Sequence, residues 1–79
     1  MSASTSISNI SLADYRLFLS KMGCKKVSIE GGHEKWTRKD LTRPIIVQTH
    51  IDPVPEFIIR NGLRNLGVTK KIFLQILHS

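Results

Sequence analysis

Residues 25–50 read KKVSIEGGHEKWTRKDLTRPIIVQTH, and the fold turns on this stretch. Lys25 to Glu30 alternates, with Val27 and Ile29 on one face, which is the pattern of a half-buried strand. Gly31-Gly32 marks a tight turn, because glycine takes positive φ without a steric penalty. His33 to Lys39 is then the returning strand, with Trp36 as its apolar member. Asp40-Leu41-Thr42 forms a second turn. The β-branched run Ile45-Ile46-Val47 forms a third strand that ends near His50. The stretch is therefore a three-stranded antiparallel meander.

Helices are expected on both sides of it. Upstream, Leu12, Tyr15, Leu19 and Met22 recur at helical spacing, with Phe18 beside them. Ser11 is placed to cap this helix, Asp14 follows three residues on, and Gly23 stops it. Downstream, Asp52-Pro53-Val54-Pro55 opens a second helix, with Asp52 as its cap and proline in the first turn. Phe57, Ile58, Ile59, Leu63 and Leu66 pack that helix on the sheet. Gly62 within it costs about 1 kcal/mol relative to alanine. Gly67 ends it, and Thr69 caps a last short helix with Ile72, Phe73, Ile76 and Leu77 as its stripe. The order α-β-β-β-α-α is a two-layer α+β domain with the helices on one face of the sheet. Residues 1–10 read as a flexible tail, and 11–79 as a single domain.

Composition narrows the class. The chain has 79 residues, 41% of them hydrophobic, so it is one small folding unit and not a disordered basic tail. The single Cys24 forms no internal disulfide. One Cys and three widely spaced His do not make a structural zinc site. No run of about 18 apolar residues is present to span a membrane. The Ser-rich start lacks the basic and apolar regions of a secretion signal, so the expected location is cytoplasmic. The net charge is +6, and residues 21–43 carry seven basic and three acidic groups of it. Such a surface favours RNA, DNA or an acidic protein partner.

The chemistry concentrates at Gly31-Gly32-His33. With Trp36 in the core, strand alternation turns His33 and Lys35 to solvent and Glu34 inward. With Ile45 and Val47 inward, Ile46, Gln48 and His50 face out, so His33, His50 and Lys35 share the open sheet face. A one-residue slip reverses every one of these assignments. Ribonucleases that work without metal need a base for the ribose 2′-hydroxyl and an acid for the leaving 5′-oxygen. An imidazole, titrating at about pH 6.5, serves either role. Lys25, Lys26, Arg38, Lys39 and Arg43 are candidate phosphate contacts. Trp36 fits the core better than a base-stacking role, Cys24 fits a buried apolar site, and Glu30 and Glu34 flank the turn.

These residues resemble a known family. HicA toxins are small endoribonucleases of bacterial toxin–antitoxin pairs. They carry a Gly-Ser-His turn, which Gly31-Gly32-His33 matches with Trp36 three residues on. They carry a Val-Pro-x-His strand end, matched by Val47-Gln48-Thr49-His50, and a Leu-Gly helix end, matched by Leu66-Gly67. Gly32 stands where the family has Ser, and Gln48 where it has Pro. The resemblance runs from about Leu12 to Leu77. It implies a double-stranded-RNA-binding-domain-like fold, and metal-independent cleavage of single-stranded or translated mRNA with His33 as the catalytic residue. Gly31, Gly32, Lys35, Lys25, Lys26, Arg38, Lys39 and His50 become candidate RNA contacts, and His50 also a candidate second acid–base group. No cofactor is implied. The implied partners are mRNA and a HicB-type antitoxin covering the active face. The rival readings are a non-catalytic RNA-binding module of the same fold, a helix-turn-helix DNA binder using Lys70, Lys71 and Gln75, and a purely structural domain.

Overall fold

The computed structural model describes residues 7–78. The elements run α1 (Leu12–Lys21), β1 (Lys25–Glu30), β2 (His33–Thr37), β3 (Ile45–Gln48), α2 (Glu56–Leu66) and α3 (Lys70–Leu77). The strands form one antiparallel sheet in the order β1-β2-β3. The α+β layout expected from the sequence is present, with β2 two residues shorter and β3 ending at Gln48.

The first turn of α1 is satisfied from two directions. Ser11 Oγ accepts the Asp14 N–H at 3.0 Å, and Asp52 Oδ1 accepts the Leu12 N–H at 3.0 Å. This corrects the expected role of Asp52. It caps α1 across 40 residues of sequence, whereas α2 starts after Pro55 with no side-chain cap. Thr69 caps α3 as expected, its Oγ1 accepting the Ile72 N–H at 3.2 Å. Gly67, at φ +71°, closes α2 in the left-handed conformation that glycine adopts cheaply.

One face of the sheet is covered and the other is open. Glu34, Trp36, Ile45 and Val47 are buried on the covered face, while His33, Lys35 and Ile46 are exposed on the other. Tyr15, Phe18 and Leu19, at helical spacing on α1, are fully buried. Phe18 meets Phe73 of α3 edge-to-face, with ring centroids 4.6 Å apart. α2 packs along β3 and against α3. Its Gly62 faces the Tyr15 hydroxyl, which fills the space a methyl group would need.

Two expectations are corrected. The end of the supposed tail belongs to the core: Ile7 and Ile10 are 3% and 8% exposed, and the Ile10 carbonyl accepts the Val54 N–H at 2.8 Å. The remainder of that tail, residues 1–6, lies outside the described residues. Val27 and Ile29 do not form a buried face on β1. A β-bulge between Lys26 and Ser28 shifts the register there, and both residues stay 57% exposed. The extra residue, Val27, is left unpaired and breaks the alternation on an edge strand. Ile29 pairs with Glu34 on the covered side but lies beyond the helices' reach.

Candidate active site at the glycine turn

Both turn glycines have positive φ, +54° at Gly31 and +80° at Gly32. A two-residue hairpin of the primed type demands this at both central positions. Glu30 and His33 are the pair closing the turn. The Gly32 carbonyl accepts two hydrogen bonds from Thr49, the N–H at 2.8 Å and Oγ1 at 3.1 Å. Thr49 thereby ties the end of β3 to the turn, and the next residue, His50, comes with it. The His50 ring lies over Gly32, with Nδ1 3.0 Å from the place of a β-carbon at residue 32. The structure thus brings Gly31, Gly32, His33 and His50 together at one end of the sheet.

His33 pairs with Glu30 on one side and Gln48 on the other. Directly paired residues share a face, so Glu30, His33 and Gln48 form a row across the sheet end. Glu30, not Glu34, is the acid beside His33. Lys35 lies two residues further along the same open face, between Ser28 and Ile46. Lys25, paired with Thr37, extends that line towards the far end of the sheet.

The other basic candidates stand elsewhere. Lys26 pairs with Trp36 and so belongs to the covered side. Lys39 is exposed in the turn past the end of β2, at the opposite end of that strand from His33. Arg38 is engaged within the fold. Its guanidinium donates to both Asp40 carboxylate oxygens, Nε at 2.6 Å and Nη2 at 2.9 Å, and Nη1 donates to the Met22 carbonyl at 2.7 Å. Arg38 pins the end of α1 to the end of β2. The hydrogen bond to Asp40 strengthens the guanidinium's hold on its proton, and the same bond holds the Asp40 carboxyl below its usual range.

Beneath the open face is a polar cluster that sequence reading missed. The Glu34 carboxylate, 1% exposed, accepts Arg16 Nε at 3.2 Å, Arg16 Nη2 at 2.6 Å and Trp36 Nε1 at 2.9 Å. Burial pushes its carboxyl up, but the hydrogen bonds from Arg16 and Trp36 and the nearby positive charges outweigh burial. The net result lies below the ordinary value. The signal was present in the sequence: an acid at an inward strand position must find a cation or a donor. Its partner lies 18 residues away and is not readable from spacing. This cluster fixes the register of β2. A one-residue slip would bury His33 and Lys35 and strip Glu34 of its donors.

Cys24 is buried and inert. Burial raises its thiol, and Asp40 adds to this against the opposing pull of Arg38. Among the described residues, no three His, Cys, Asp or Glu side chains converge as metal ligands, and no helix is long and apolar enough to cross a membrane. Comparison with family models, curated proteins and solved structures finds no match to this chain.

Proposed function

We propose that the chain is a metal-independent endoribonuclease with a double-stranded-RNA-binding-domain-like fold, acting on mRNA as the toxin of a toxin–antitoxin pair. The observation that carries the reading is that His33 leaves the glycine turn on the open sheet face while the His50 ring lies against Gly32 of the same turn. Supporting it are the exposed Lys35 and Lys25 aligned along that face and the net charge of +6. The sequence resemblance to HicA toxins adds the mRNA substrate and a HicB-type antitoxin.

In this mechanism one imidazole removes the proton of a ribose 2′-hydroxyl. The 2′-oxygen attacks the adjacent phosphorus, and the bond to the 5′-oxygen breaks. The other imidazole protonates that leaving oxygen. The products are a 2′,3′-cyclic phosphate and a 5′-hydroxyl. Lys35 stabilises the charge that builds on the phosphoryl oxygens. Gly31, with nothing within 4 Å of a β-carbon position, lets a phosphate approach the backbone of the turn.

Gly32 in place of the family's Ser is matched by its surroundings. At φ +80° a serine would be strained, and with Nδ1 3.0 Å from a β-carbon position the exposed His50 ring would have to shift to admit it.

The test is scission of a long single-stranded transcript in the presence of chelator. The expected result is cleavage by the native chain and a loss of about 100-fold or more in His33→Ala, the scale of general acid–base catalysis. Binding without scission, weakening steeply with salt, would instead identify an RNA-binding module.

A further inference from the structure

The sheet has a second feature that cleavage chemistry does not use. β3 is an edge strand, and its outer side is unpaired among the described residues. The Thr49 N–H points to β2, so alternation turns the N–H and C=O groups of Ile46 and Gln48 away from it, to the free edge. Beside that edge a groove of about 610 Å³ runs between β3 and α2. Its apolar floor includes Ile46 and Phe57, which are 39% and 59% exposed. Arg43 and Arg64 stand along it with Asn61, and no Asp or Glu lines it. The Asn65 side chain donates to the Arg43 carbonyl at 2.9 Å and holds the entrance of β3 against α2.

We propose that this edge and groove dock an extended acidic segment of a partner protein, which adds a fourth strand to the sheet. The free backbone groups select a peptide, because strand addition satisfies N–H and C=O together and a nucleic acid does not. Ile46, on the open face, receives its apolar side chains, and the alternate positions turn towards α2 with Phe57, Arg43 and Arg64. Arg43 and Arg64 select acids at the alternate positions. A second copy of this chain is disfavoured as the occupant, since it would bring its own Arg43, Arg64 and net charge of +6 to the contact. The proposal goes beyond RNA cleavage and does not rest on it. The added strand would run next to Gln48, about 10 Å from β2 and His33 at ordinary strand spacing.

The test uses the full chain and an array of ten-residue peptides in which Val, Ile or Thr alternates with Glu or Asp. A matched array carries Gln and Asn instead of the acids. The acidic array is expected to bind at least tenfold more tightly, and to slow amide hydrogen exchange at Ile46 and Gln48. Ile46→Pro removes the outward N–H and leaves the β2–β3 ladder intact, and is expected to weaken binding at least tenfold. Arg43→Glu with Arg64→Glu should do the same while the circular dichroism spectrum is unchanged. His33→Ala should bind the peptides as the native chain does. Failure of the acidic array to bind, or binding indifferent to both sets of changes, would overturn the proposal. So would protection of the Ile46 and Gln48 amides by a single-stranded RNA oligonucleotide, or by raising the concentration of the chain alone.

Discussion

Two glycines show how single residues set this molecule's chemistry and packing. Gly32 has both positive φ and the His50 ring where a side chain would start. Gly32→Ser is therefore expected to lower stability by about 1–2 kcal/mol from backbone strain alone, and to displace His50. A thermal melt measures the first effect, and chemical shifts of the His50 ring measure the second. Gly62 answers to a different neighbour, the Tyr15 hydroxyl, which is buried and without a hydrogen-bond partner among the described residues. Burial, with Cys24 adding to it, drives the Tyr15 phenol well above its usual range, so it stays neutral. Alanine is the better helix former, yet Gly62→Ala is expected to destabilise by about 1–3 kcal/mol through overpacking. Tyr15→Phe removes the unpaired hydroxyl and should be neutral or stabilising by up to about 1 kcal/mol. In the Tyr15→Phe background most of the Gly62→Ala loss should disappear, which urea denaturation of the four proteins would show. Unchanged cost of Gly62→Ala in both backgrounds would mean the hydroxyl is not the obstacle.

At the scale of elements, β2 is held in register by one buried carboxylate. Glu34 is reached by Arg16 from α1 and by Trp36 on its own strand, and its carboxyl lies below the ordinary value. A group depressed in the folded state adds stability above its unfolded value, about pH 4.3, and loses it as pH falls through the folded value. Melting temperature should thus drop more steeply below about pH 4 in the native chain than in Glu34→Gln. Arg16→Ala, which leaves the carboxylate buried with one donor, should cost on the order of 2 kcal/mol. Most of these elements were legible in the sequence. Ser11, Gly23, Gly67 and Thr69 punctuate the helices by local chemistry, and the Gly31-Gly32 turn fixes the hairpin. The failures were all non-local. Asp52 caps a helix 40 residues away, Ile7 and Ile10 find a core that their Ser-rich surroundings do not announce, and the β1 bulge is invisible in a pattern that alternates cleanly. The candidate site was legible to the extent that alternation set it: His33 and Lys35 are exposed on the open face and Trp36 is buried, while His50 is exposed in the turn past the end of β3. The structural engagement of Arg38 was not legible, because the Met22 carbonyl reaches it only when the end of α1 meets the end of β2.

Across the whole molecule the positive charge is divided by the sheet. Lys25 and Lys35 share the open face with His33, Lys26 belongs to the covered side, and Arg38 is engaged in structure. RNA affinity is expected to fall more in Lys35→Ala and Lys25→Ala than in Lys26→Ala, each open-face change also reducing the salt dependence by about one counterion-equivalent. Filter binding at several salt concentrations reads both quantities. Equal effects at all three lysines would mean that RNA does not track the open face. The chemistry at the glycine turn is read out in the chemical nature of the cut ends. The native chain and His33→Ala are incubated in chelator with a defined RNA, and with the same RNA carrying a 2′-deoxyribose at the mapped cleavage site. That chemistry requires a 5′-hydroxyl and a 2′,3′-cyclic phosphate from the native chain, no cut at the deoxy position, and intact RNA with His33→Ala. A 5′-phosphate end, a cut at the deoxy position, or equal cleavage by His33→Ala would contradict it.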